Sequence, residues 1–113
     1  MNYPTYNPPR EFKVVTICGS MRFYDRMLKV AEYYTAGGSV VLMPFVTIAA
    51  DKQGDSDAKA MLDRMHKQKI DMADAVIVVT DRETQYVGDS TKAEIAYSAS
   101  LNKDVIWQME GPA

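Results

Sequence analysis

One cysteine, Cys18, and one histidine, His66, are all that the sequence holds of either type. A lone thiol forms no internal disulfide. No C-x-x-C pair and no multi-histidine group is present for a structural zinc, so neither a metal site nor a cofactor is expected. Long apolar runs are also missing. None approaches the ~20 residues that span a bilayer, so no membrane partner is expected. Basic excess is absent as well, with 13 Lys and Arg against 15 Asp and Glu. A nucleic-acid groove needs a basic footprint, so a nucleic-acid polymer is not an expected partner. One small anion held by a local arginine remains compatible with this balance. The first ten residues carry three prolines and no apolar block. No secretory leader is therefore expected, and the cytoplasm is the expected compartment.

What is present fits one domain. The 113 residues are 47% hydrophobic and 25% charged, enough to bury a core without staples. Eight methionines read as filler for irregular core gaps. Residues 1–11, rich in Pro, Asn and Tyr, read as an extended arm. Residues 12–113 read as a single α/β domain.

Within that domain the periodicity alternates. FKVVTIC (12–18) is apolar and β-branched, as a strand requires. Residues 22–36 place Phe23, Met27, Val30, Ala31 and Tyr34 on one helical face, and Gly37–Gly38 supply a stop. SVVLMPFV (39–46) reads as a second strand and 47–56 as a loop. Residues 57–73 read as a helix with Met61, Leu62, Met65 and Ile70 inward. DAVIVVT (74–80) is an almost unbroken Val/Ile run, which predicts a strand buried on both faces. A loop at 81–89, a helix at 90–102 and a strand at 104–108 complete the order. Strict β-α alternation predicts a four- to five-stranded parallel sheet with helices on both faces. The expected form is a small flavodoxin- or Rossmann-like sandwich with strand order 2-1-3-4. Ligands of such sheets lie beyond the carboxyl ends of the strands, where the strand order reverses.

That rule selects residues. The first strand delivers Gly19, Ser20, Met21 and Arg22, the second Phe45, and the third the loop with Gly88, Asp89, Ser90, Thr91 and Glu94. Glycine lets backbone approach a ligand. A serine hydroxyl and free helix-start N–H groups attract an anion, and arginine adds a forked cation. The plainer alternative is a strand-to-helix turn with Ser20 as N-cap. Thr91 and Glu94 spell T-x-x-E, a capping box, so Glu94 is read either as a cap or as a nucleophile or base facing the crevice. His66 lies four residues from both Leu62 and Ile70, on an apolar stripe that suits a core histidine. Cys18, at a strand end, reads as a small buried hydrophobe without a base. Asp74 reads as the turn into the third strand, and Tyr97 and Trp107 as core or contact residues.

The joint pattern of C-G-S-x-R at 18–22, A-D-A-V-I-V-V at 73–79 and E-I-A-Y-S-A at 94–99 resembles the nucleoside 2-deoxyribosyltransferase-like superfamily. By motif it is most similar to the 2′-deoxynucleoside 5′-phosphate N-hydrolase branch, in order over residues 13–108. The resemblance implies a (deoxy)nucleoside 5′-monophosphate N-glycosidase with Glu94 as nucleophile at C1′. It implies that Gly19, Ser20 and Arg22 hold the 5′-phosphate, with Ser90 and Thr91 completing that site. The aspartate that the family carries eight residues before the A-D aspartate is replaced by His66, a general acid by its ordinary range; Asp71 is a nearby substitute. Gly88 stands where transferases tend to carry an acid, which weakens a transferase reading. A homodimer or higher oligomer is also implied, with Tyr33, Tyr34 and Tyr97 as contact candidates. The alternatives are a nucleotide-binding sensor without turnover and a deoxyribosyltransferase.

Overall fold

The computed structural model describes residues 10–44 and 56–109. Four strands form one parallel sheet in the order β2-β1-β3-β4. They are β1 (Val14–Gly19), β2 (Val40–Leu42), β3 (Ala75–Val79) and β4 (Asp104–Gln108). Three helices connect them: α1 (Tyr24–Ala36), α2 (Ser56–Asp71) and α3 (Asp89–Ser100). A 3-10 turn at Met21–Phe23 leads into α1. The expected α/β architecture and strand order are thus those of the structure. Phe45 and the expected 47–55 loop lie outside the described residues, as does most of the expected arm.

Alternation along the strands divides the core into two layers. Val15, Ile17, Ala75, Ile77 and Val79 face α1, where they bury Met27 and Val30. Cys18, Val76 and Val78 face the opposite side, with Ile70 of α2 and the half-buried Ile95 and Tyr97 of α3. All five residues of β3 are buried, the arrangement its Val/Ile run predicts. Right-handed crossovers put α1 on one face and α2 and α3 on the other.

Some boundaries and faces differ from expectation. β2 spans three residues because it pairs with β1 only at Val14, Val15 and Thr16. The α2 stripe that meets the sheet is Leu62, His66 and Ile70, whereas Met61 and Met65 are about half exposed. The helix is turned to that phase by two anchors. The Thr16 hydroxyl donates to the Lys69 carbonyl at 2.8 Å, and Lys69 Nζ donates to the Met43 carbonyl at 2.7 Å. The capping box at Thr91 does not form: α3 begins at Asp89, its N-cap is Gly88, and Thr91 is buried inside the first turn. Asp74 does mark the entrance to β3, where its carboxylate accepts from Val14 N and from Arg10.

At the other end of β1, Gly19 sits in register with Val79 at φ +153°. A Cβ there would meet the Val79 carbonyl oxygen at 2.6 Å and Met27 Cε at 2.9 Å. The strand therefore ends on a residue that only glycine fits. Gly19→Ala is expected to cost roughly 2–3 kcal/mol in a urea melt, as overpacking against backbone does. Gly37→Ala, at a helix end where the nearest atoms lie 3.6 Å away, serves as the near-neutral control.

Candidate functional site

Three segments converge beyond the carboxyl ends of β1 and β3. From β1, Ser20 caps the 3-10 turn, its hydroxyl accepting from Arg22 N at 3.3 Å. From β3, the chain passes through a loop that is tied by its own side chains. Asp81 accepts from the amide and hydroxyl of Thr84 at 2.6 and 2.7 Å, and the Thr80 hydroxyl donates to the Tyr86 carbonyl at 2.7 Å. Arg26 of α1 ties the same edge by donating to the carbonyls of Thr80 and Met109. This loop presents Tyr86, and the Arg22 guanidinium lies over its ring, 3.7 Å from the centroid. Such a stack holds a cation in place without neutralising it.

The α3 N-terminus forms the third wall. Ser90 is exposed and accepts from Lys59 Nζ of α2 at 3.3 Å. Lys59 also pairs with Asp63 at 3.2 Å. Asp89 in the first turn suits the helix dipole, which leaves the attraction of an anion to Arg22 and Lys59. Thr91 departs from expectation because it is buried, so its hydroxyl is not on the crevice surface.

Beneath this surface three ionisable side chains meet. Cys18 of β1, His66 of α2 and Glu94 of α3 bring Sγ, a ring nitrogen and a carboxylate oxygen within 4.8 Å of one another. Cys18 Sγ lies 3.3 Å from His66 Nε2, which lies 3.6 Å from Glu94 Oε2. Cys18 and His66 are buried, and the Glu94 side chain is 14% exposed. Burial pushes the Glu94 carboxyl up to about 7, opposed by Cys18, Lys59 and Lys67 and helped by Asp63. Burial pushes His66 down to about 4, with Lys69 acting in the same direction and Asp63 against it. Burial, with Glu94 beside it, drives the Cys18 thiol upward. All three groups are thus biased toward their uncharged forms.

This environment bears on two expectations. Burial and Lys69 push His66 down to about 4, a direction that opposes the imidazolium general acid suggested by its ordinary range. Asp71 lies at the end of α2 on the opposite edge of the sheet. There it accepts from the Tyr97 hydroxyl at 2.5 Å, and its carbonyl accepts from Lys103. It is not brought to Glu94. Cys18 is buried, as expected, and also meets His66, 48 residues away in the chain, a contact that no local pattern signals. Tyr86 and Lys59 were not singled out either. An aromatic residue beside Gly88 at a strand's carboxyl edge is a signal for the first; the second has none.

A thiol, an imidazole and a carboxylate form a donor set that a zinc-class ion accepts. Ligating imidazoles, however, place their second nitrogen on a partner, and His66 Nδ1 has none among the described residues. The trio fits better as a group that shares protons.

No family model matches the chain, and no curated protein matches it. Among solved structures, the fold is similar to that of a 2-desoxiribosyltransferase from Leishmania mexicana. The likeness has a TM-score of 0.62 at 20% identity and covers 86% of this chain and 64% of that one. It is a likeness of fold, and the chain spans less than two thirds of that protein's length.

The shifts have a thermodynamic consequence. A carboxyl raised in the folded state favours folding at low pH and loses that contribution as pH rises from about 4.5 to about 7. A histidine lowered from 6.5 to about 4 does the reverse, losing stability as pH falls through that window. The two slopes oppose each other in wild type. Glu94→Gln removes one of them. The stability of Glu94→Gln minus that of wild type should therefore climb from about pH 4.5, level off above 7, and total on the order of 2–3 kcal/mol. Urea melts at half-unit pH steps measure it, and a flat difference would contradict a buried Glu94.

Proposed function

We propose that the protein cleaves the base–sugar bond of a (deoxy)nucleoside 5′-monophosphate, with Glu94 as the nucleophile. The observation that carries this reading is the position of Glu94: a mostly buried carboxylate, raised to about 7, at the switch point of a parallel sheet where such folds bind ligands. A poorly solvated carboxylate is a stronger nucleophile than a hydrated one and suits an oxocarbenium-like transition state. The fold likeness to a 2-desoxiribosyltransferase supports the nucleoside class. Arg22 on Tyr86, with Ser20 and Ser90 nearby, supports a phosphate at the crevice mouth.

The reaction follows from these placements. A Glu94 oxygen bonds to C1′ as the C–N bond breaks, and the bonding pair leaves on the base, which takes its proton from water. A second water then attacks C1′ of the glycosyl ester, and the proton it loses neutralises the hydroxide left by the first. It releases the sugar phosphate and restores the carboxylate. Since attack needs the ionised form, turnover should rise with pH through about 7.

The name of the structural neighbour, a 2-desoxiribosyltransferase, favours one second reading, in which a free base rather than water accepts the sugar. The two readings separate when a second base is added to the assay and its nucleotide is sought by chromatography. In either case Glu94→Gln is expected to lower kcat by at least ~10³-fold, as loss of a nucleophile does. Arg22→Ala should raise KM for monophosphates about 10–100-fold, the worth of one or two charged hydrogen bonds, and leave unphosphorylated nucleosides unaffected. Equal base release by wild type and Glu94→Gln would refute the proposal.

A further inference from the structure

We propose that Cys18 is a positioning residue: its thiol donates a hydrogen bond to the Glu94 carboxylate and fixes which oxygen faces the crevice. The inference rests on the reading of Glu94 as nucleophile only for its catalytic meaning; what the geometry supplies is a buried thiol within 4.8 Å of a carboxylate oxygen.

Cys18 has no freedom to do otherwise. It is the penultimate residue of β1, in register with Val78 and fully buried. Its sulfur lies 3.3 Å from His66 Nε2, and the Glu94 oxygen belongs to the same cluster within 4.8 Å. The thiol carries one proton and has two candidate acceptors, and His66 Nδ1, buried and without a partner among the described residues, decides between them. If S–H donated to Nε2, the ring proton would sit on Nδ1 as a buried N–H with no acceptor among those residues, the rarer and costlier defect. If S–H donates to Glu94, the ring proton sits on Nε2. There it faces sulfur and Oε2, and Nδ1 keeps only a lone pair. The second arrangement leaves the smaller debt. It also places two donors, Cys18 and His66, on one side of the carboxylate, so the oxygen turned away from them is the free one.

The groups facing Glu94 from the packed elements are Lys59, Asp63, His66 and Lys67 of α2 and Cys18 of β1. Lys59 and Lys67 act from a solvated side. Cys18 and His66 face the carboxylate from the dry side. A donor to the ionised form offsets part of the burial that opposes ionisation.

The test is titration of the Glu94 side chain in protein labelled with ¹³C-carboxyl glutamate, its signal assigned by its loss in Glu94→Gln. Cys18→Ser retains a donor and Cys18→Ala removes it. Cys18→Val takes the place of Cys18→Ala if the smaller residue does not fold. The donor-free variant should move the Glu94 midpoint upward by about 0.5–1 pH unit, the scale of a weak donor on a charge. Cys18→Ser should stay within about 0.3 unit of wild type or fall below it. The acid limb of kcat should move by the same amounts where turnover is observed. A melting-temperature change with an unmoved midpoint would overturn the proposal, as would equal shifts in the serine and donor-free variants. Because the titration needs no turnover, a blank base-release assay would refute the glycosidase reading and leave this inference standing.

Discussion

The parallel pairing of β1 with β3 is the constraint on which the rest depends. Its five register pairs run from Val15 against Ala75 to Gly19 against Val79. The chain must leave the neighbourhood of β1, build β2 on one side, then cross over the sheet and return for β3 on the other. That reversal opens a crevice at the carboxyl edge. It also places Cys18 beneath α2 and α3, since one residue earlier or later would point to the α1 face. The close approach of Gly19 to the Val79 carbonyl shows how little slack the pairing leaves.

Burial then does the chemical work. Leu62, His66 and Ile70 form the inward stripe of α2, and Glu94 arrives from α3 on the same side. Removing water from this corner disfavours every charge in it, so thiol, imidazole and carboxyl are each pushed toward neutrality. The exposed rim is different in kind. Arg22 lies on Tyr86, Lys59 bridges Asp63 and Ser90, and Arg22 and Lys59 stay solvated. A dry floor under a polar rim suits a ligand with a charged end and a bond that must ionise to break.

The fold was legible because its signals are local. The Val/Ile run at 75–79, the 3.6-residue stripe of α1 and the glycine pair after it each act over a few residues, and alternation of such segments leaves few sheet orders. The candidate site was legible only in part. Gly19, Ser20, Arg22, Ser90 and Glu94 follow from strand ends alone. The T-x-x-E pattern misled because the N-cap falls three residues sooner, at Gly88, and the helix begins at Asp89. Met61 and Met65 misled because two methionines look inward on hydropathy, whereas the anchors at Lys69 set the helix phase.

Sequence by itself determined the elements, their order, the glycine at the end of β1 and the edge at which a ligand can sit. Those properties depend on backbone stereochemistry and on which residues avoid water. Only the tertiary structure decided the company that Glu94 keeps. Cys18, His66 and Glu94 belong to three separate elements, and no periodicity links them. Desolvation, which sets their protonation, is a property of the space that packed elements enclose rather than of any one segment.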